Sequence, residues 1–260
     1  MASKLYGIDF GTSVIKIYKK NNGVIYDSKN IIAVADSEKI IAYGDEAFDM
    51  LGKTPSNIEI TFPVRNGVIA DIENMTALLN SVFAELEKKH GKIAGSEFIV
   101  ASPTDITEVE KRAFVDLVAS SDAKTKKIRI VEKPIANALG AGLDVTNANG
   151  VMIVDIGADT TEISVLSLGG IVISKMVPVG GNKFDENLIA NVRKKHNLLI
   201  GQKTAETIKK ELASAVPPEE NSIKVFGRDV VTGLPTYNGV PLEIRTPDPL
   251  IKSQMLYRLS

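Results

Sequence analysis

The feature that most constrains this chain is a strand-turn-strand pattern that occurs twice. Leu5 to Phe10 reads as a β-strand carrying Asp9 near its end, and Gly11-Thr12 leads into an alternating run over Ser13 to Lys19. Asp155 stands 146 residues beyond Asp9, inside the apolar strand Val151 to Ile156, and Gly157 precedes another alternating run, Glu162 to Leu168. A third run follows each time: Ile31 to Ala35, and, after Gly169-Gly170, Ile171 to Val177. A short turn can recur by chance, but the order of strands recurs with it. The chain is therefore predicted to be two similar α/β halves meeting near Asn147 to Gly150. The first would cover residues 1–147, with a small insertion at about 31–64. The second would cover 148–235, with a helical insertion at about 185–229.

Helix signals fall between the strands. Leu78, Leu79, Val82, Phe83 and Leu86 have helical spacing within Glu73 to Lys89, and Gly91 supplies a stop. Thr107-Glu108-Val109-Glu110 has the form of a capping box opening a helix to about Ser120. Phe98 to Ala101 and Ile128 to Val131 read as strands, a short helix is expected over Asp45 to Leu51, and Pro134 starts a small-residue helix ending at Gly140 to Gly142. Further helices are expected at Phe184 to His196 and Thr204 to Ala213. Beyond Gly233, Pro235, Pro241, Pro247 and Pro249 interrupt all periodicity, which predicts an irregular tail over 236–260.

Composition removes several classes of function. With 31 Lys and Arg against 32 Asp and Glu, no basic face for nucleic acid is implied. No cysteine is present, so disulfides, zinc-thiolate sites and thiol catalysis are excluded. His90 and His196 alone leave little room for a histidine metal site or triad. No apolar run approaches the ~18 residues of a membrane span, and no leader precedes Ser3-Lys4, so a cytoplasmic protein is expected. Gly52-Lys53-Thr54 imitates the end of a P-loop, but its leading glycine position is Ala47 and no strand-to-helix context surrounds it.

The paired turns carry more chemistry. A tight turn exposes successive backbone N–H groups, and a glycine lets phosphate oxygens approach them. An Asp ending each first strand suits magnesium held through its waters. Singly, each turn reads as an ordinary hairpin. As a pair, Gly11-Thr12-Ser13 and Gly157 to Thr161 describe two walls of a cleft for nucleotide phosphates.

At this point the sequence resembles a family. Gly7-Ile8-Asp9-Phe10-Gly11-Thr12 looks like the first phosphate motif of the actin, sugar-kinase and heat-shock-chaperone superfamily, and Val154 to Glu162 is similar to its second. Within it the chain resembles the bacterial actin homologue MreB through Gly67 to Asp71, Thr107 to Arg112, Ser167 to Val172, Gly201 to Glu206 and Val231 to Pro235. The resemblance covers roughly residues 4–235. It implies an actin-like (ribonuclease H-like) fold: two duplicated α/β halves, each on a mostly parallel five-stranded sheet, around a nucleotide cleft, the second half incomplete. It implies ATP with Mg2+, Asp9 and Asp155 facing the metal through water, and phosphate contacts from Gly11, Thr12, Ser13, Gly157, Ala158, Asp159, Thr160 and Thr161. Gly180 and Gly181 match a third glycine turn, while Glu206 and Lys209 match helix residues that reach ribose and base. Lys16 sits at a phosphate-lysine position of eukaryotic actin, with a solvated strand lysine as the other reading. An exposed charged helix face is likewise the other reading of Lys209.

The departures from the family are equally specific. Val131-Glu132-Lys133-Pro134 places Lys133 where the family has the carboxylate that positions the attacking water. A charged lysine cannot accept a proton. Ala158 and Asp159 replace two glycines of the second phosphate motif, and Lys133 and Asp159 are expected to pair with each other. The implied function is a filament-forming cytoskeletal protein that guides cell-wall synthesis under the membrane, interacting with that machinery and with itself. The alternatives are a non-hydrolysing pseudo-ATPase scaffold and a small-molecule kinase of the same fold. In the loop Gly91 to Ser96, Ile93 is the one sizeable apolar residue, so only weak membrane-surface binding is expected.

Overall fold

The alternation in β1 (Leu5–Phe10) drives Tyr6, Ile8 and Phe10 into the interior, and the first sheet grows from this strand. The computed structural model describes residues 4–36, 39–214 and 222–241, with side chains through Thr236. The chain divides into two compact units, 1–180 and 181–260.

In the first unit, β1 pairs antiparallel with β2 (Val14–Lys19), and β2 with β3 (Gly23–Lys29). A separate antiparallel sheet takes the order β5-β4-β6 from β4 (Ile32–Ala35), β5 (Lys39–Tyr43) and β6 (Ile58–Thr61), with α1 (Asp45–Met50) against it. β7 (Val64–Arg65) and β8 (Val68–Ile69) form a hairpin whose two turn residues, Asn66 and Gly67, have φ of 50° and 81°. Positive φ at both positions is what a two-residue Asn-Gly turn supplies.

The chain then runs through α2 (Ile72–His90), β9 (Glu97–Ser102), α3 (Glu108–Ser120), β10 (Lys127–Glu132) and α4 (Lys133–Gly140). β9 lies parallel to β1 and β10 parallel to β9, completing a five-stranded sheet in the order β10-β9-β1-β2-β3. The capping box forms as the sequence predicts. Glu110 N–H donates to Thr107 Oγ1 at 3.2 Å, and Thr107 N–H donates to Glu110 Oε2 at 2.7 Å. Met75, Leu79 and Phe83 of α2 and Phe114 and Leu117 of α3 fill one core with Tyr6, Ile8, Phe10 and Phe98. Tyr6 stacks on Phe98 with ring centroids 5.4 Å apart.

The second meander repeats the first. β11 (Val151–Ile156), β12 (Thr161–Ser167) and β13 (Gly170–Val177) pair antiparallel throughout. One face packs on α4 through Ala138, Ile135, Ile153, Leu166 and Ile171. Met152, Val154, Ile156 and Ile173 are exposed.

The second unit, taken alone, holds α5 (Gly181–His196), β14 (Leu198–Leu199), α6 (Gln202–Leu212), β15 (Ser222–Asp229) and β16 (Pro235–Pro241). Its sheet has the order β14-β15-β16, and Leu188, Val192, Leu198, Ala205, Ile208 and Val225 form its core.

Several expectations are corrected. The third strand of the first meander is β3, not Ile31 to Ala35; Ile32–Ala35 lies in the small separate sheet, within the stretch 31–64 read as an insertion. The first sheet mixes parallel and antiparallel pairs, and the described part of the second is three-stranded and wholly antiparallel. The stretch 185–229 is not only helical, because β14 and β15 lie in it. Residues 235–241 form a strand, since prolines are compatible with an outer strand that pairs on one side. The rest of the predicted irregular tail, 242–260, lies outside the described residues. Ile93 is buried at 1% exposure and no membrane anchor. Glu87 Oε1 accepts the Ile93 and Ala94 amides at 2.7 and 3.3 Å, folding that loop back onto α2 and turning Ile93 into the core.

Candidate functional site

The first turn is held from below. Asn30 Nδ2 donates to Gly11 O at 2.7 Å and Asn30 N–H donates to Ser13 O at 2.9 Å. A Cβ on Gly11 would lie 2.7 Å from Val14 O, so the turn closes only around glycine. Lys16 stands opposite Asp9 in register, but its ammonium lies 3.8 Å from Asp27 and both side chains are over half exposed. That contact favours the solvated-strand reading of Lys16.

The second turn is built more tightly. Gly157 N–H donates to Thr160 O at 2.8 Å, and Thr161 Oγ1 donates to Val179 O at 2.7 Å. Gly180 lies directly on this turn, because its Cβ would fall 2.5 Å from Ala158 O and 2.6 Å from Gly157 O. Two glycine-bearing backbone segments therefore touch at van der Waals distance, which leaves a shallow cradle that any side chain would fill.

The Asn66-Gly67 hairpin tip meets both turns. Gly67 N–H approaches Thr12 Oγ1 at 3.4 Å, Asn66 N–H donates to Asp159 Oδ2 at 2.9 Å, and the position of a Cβ on Gly67 lies 3.9 Å from Thr160 Oγ1. Neither residue was singled out as a site residue from the sequence. The Asn-Gly pair between Val64-Arg65 and Val68-Ile69 was the available signal. Glu162, buried beside this region, accepts from Thr104 N–H at 3.0 Å and from the Thr104 hydroxyl, and Ser174 Oγ donates to it at 3.4 Å. That network ties the loop ahead of α3 to β12 and β13.

Both aspartates are engaged by one helix. Lys133 Nζ, on a side chain only 16% exposed, lies 2.8 Å from Asp9 Oδ1; that oxygen is closed to solvent, although the Asp9 side chain as a whole is 45% exposed. Asn137 Nδ2 donates to Asp155 Oδ2 at 2.9 Å. Lys133 and Asn137 are four residues apart, one turn along the same face of α4. The expected Lys133–Asp159 pair is thus replaced by two contacts, Lys133 with Asp9 and Asp159 with the hairpin amide. These carboxylates offer hydrated magnesium a poor fit, because an ammonium already stands 2.8 Å from Asp9 and would repel a second, divalent cation there. The glycine turns, by contrast, fit phosphate.

In the second unit, Lys209 Nζ bridges Asp185 Oδ2 at 2.8 Å and Gly181 O at 3.0 Å, a mostly buried contact that links α6 to the start of α5. Lys209 is therefore not part of an exposed charged face. Glu206 pairs with Lys210 at 2.8 Å.

Comparison with known proteins agrees with this architecture. Cell shape-determining protein Mbl of Bacillus subtilis (strain 168) is 37% identical over 237 residues, covering 90% of this chain and 70% of that protein. Cell shape-determining protein MreB of Escherichia coli (strain K12) is 38% identical over 241 residues, covering 90% and 69%. The crystal structure of MreB 5 of Spiroplasma citri bound to AMPPNP superposes with a TM-score of 0.90 at 32% identity, over 100% of this chain and 78% of that one. The MamK double helical filament, at 22% identity and a TM-score of 0.73, shares the fold. The fold is actin-like, and no described helix is long and apolar enough to cross a membrane. Residues 3–245 match the MreB/Mbl protein family. With its paired aspartate-glycine turns on that fold, the chain belongs to the MreB/Mbl family.

Proposed function

We propose that this chain is an MreB-type cytoskeletal protein that binds ATP and assembles into filaments, and that hydrolysis is at most residual. The observation that carries nucleotide binding is the convergence of the two glycine turns on the Asn66-Gly67 tip, with Gly180 pressed against the second turn. In this reading the halves 1–147 and 148–235 each contribute one phosphate turn. Gly180 and Gly181 form the third glycine turn, near the phosphates, and Glu206 and Lys209 serve ribose and base, as the family resemblance implies. Magnesium would accompany the nucleotide only if it could compete for Asp9 and Asp155. Action at the inner face of the membrane, with the cell-wall machinery as partner, follows from the family; buried Ile93 lends it no anchor.

The absence of turnover rests on Lys133. Its ammonium is held at Asp9 and has no lone pair to take a proton from water. Loss of a general-base role costs roughly 10²–10⁴-fold in rate. The test is sedimentation with and without ATP, with phosphate release followed in parallel. ATP-dependent pelleting without phosphate release above background is the expected result. Pelleting indifferent to nucleotide, or phosphate release from the unaltered chain well above background, would overturn the reading.

A further inference from the structure

We infer that α4 carries a built-in substitute for the divalent cation, so that this chain binds a nucleoside triphosphate without needing magnesium. The inference rests on the nucleotide reading above and goes beyond it. Two carboxylates beside a polyphosphate would repel it strongly, and a metal ordinarily screens that repulsion. Here Lys133 supplies a fixed positive charge 2.8 Å from Asp9, on a stem with little solvent exposure. One helical turn on, Asn137 donates an amide hydrogen to Asp155 at 2.9 Å. An amine and an amide from one helix thus each engage one oxygen of the two carboxylates that a hydrated magnesium would have to meet. Asp9 Oδ1 is closed to solvent, so a metal-bound water would be left the outer oxygen of this half-exposed carboxyl, with the ammonium close by. A dication arriving there would also face Lys133 itself.

The geometry also fits an anion. A partly buried lysine is a point charge able to face a phosphate oxygen while remaining at its carboxylate. The turn residues then need only supply N–H groups. Neutralisation of Asp9 is permanent in this chain, where a metal would make it conditional on divalent concentration.

The experiment is a titration of the full chain with a fluorescent ATP analogue, in magnesium and then in excess EDTA. The expected dissociation constants agree within about threefold. Lys133→Met removes the charge while keeping an apolar stem, and should make binding magnesium-dependent by about tenfold or more. Asn137→Ala, which frees only Asp155, should show the same trend to a smaller degree and serves if the first variant does not fold. A wild-type chain that loses more than about tenfold in affinity in EDTA overturns the inference while leaving nucleotide binding intact. A chain that binds no analogue under either condition overturns both.

Discussion

Tyr6, Ile8 and Phe10 of β1 and Met152, Val154 and Ile156 of β11 occupy equivalent places in the two meanders. The first three are 1%, 2% and 1% exposed, and the second three are 53%, 40% and 53% exposed. Both strands precede a glycine turn, and both pair antiparallel with the strand that follows. The difference lies in what covers them. α2 and α3 lay Met75, Leu79, Phe83, Phe114 and Leu117 onto the β1 face, whereas no described helix covers the matching residues of β11. Burial is a property of the cover, and strand patterning only prepares a face for it.

The largest effect should therefore come from the strand with a cover. Phe10→Ala empties a site beneath Phe114, whose ring stacks at 6.1 Å, and is expected to destabilise the chain by about 3–5 kcal/mol in denaturant unfolding. Ile156→Ala, at the same place in the second meander, should change stability by about 0.5 kcal/mol or less. Equal losses at the two positions would break the comparison, because they would mean that the β11 face is covered in solution.

What the sequence made legible follows the same division. Asp9 and Asp155, the spacing of Leu78 to Leu86 and the Thr107 box are local patterns, and each formed where expected. β3 was missed because Gly23-Val24-Ile25-Tyr26 buries only Tyr26, so its alternation is faint. β16 was missed because Pro235 and Pro241 look like breakers, although each lies at an end of the strand, paired with Arg228 and Ser222 of β15. In β11 the apolar residues are not divided between faces by the sequence: Ile153 packs on α4, while its neighbours Met152 and Val154 point outward. Alternation fixes which residues share a face and says nothing of which face meets a helix. At the site, the partners Lys133–Asp9, Asn137–Asp155 and Asn66–Asp159 join residues distant in the chain. A single sequence identifies the members without the pairs.

The second meander depends on backbone proximity in place of a helical cover at its turn, and Gly180 tests that. Gly180→Ala puts a methyl 2.5 Å from Ala158 O, so one of two backbone segments must move. Overpacking of this kind costs about 1–3 kcal/mol. A melt of the variant should show that loss, together with weaker binding of the ATP analogue. An unchanged melt with normal binding would mean that the two glycine segments are not in contact in solution.

The smallest effect sharpens the first side of the comparison, since α3 helps to cover β1 and Thr107 starts α3. Thr107→Ala removes the acceptor for Glu110 N–H and should cost about 1 kcal/mol. The hydrogen bonds that Glu110 accepts from the Thr107 backbone amide, and then from its hydroxyl, hold the carboxyl below its ordinary value of 4.5. A carboxyl depressed in the folded state stabilises the fold above its unfolded value, and that contribution disappears as pH falls through the folded value. The gap between wild type and Thr107→Ala should therefore be constant from neutral pH down to about 5 and narrow below it, because a protonated Glu110 no longer accepts the hydroxyl as a charged partner. Denaturant midpoints measured at intervals from pH 7 to pH 3 would show this. A gap that widens on acidification would place the loss elsewhere than in the capping box and would separate the start of α3 from the cover of β1.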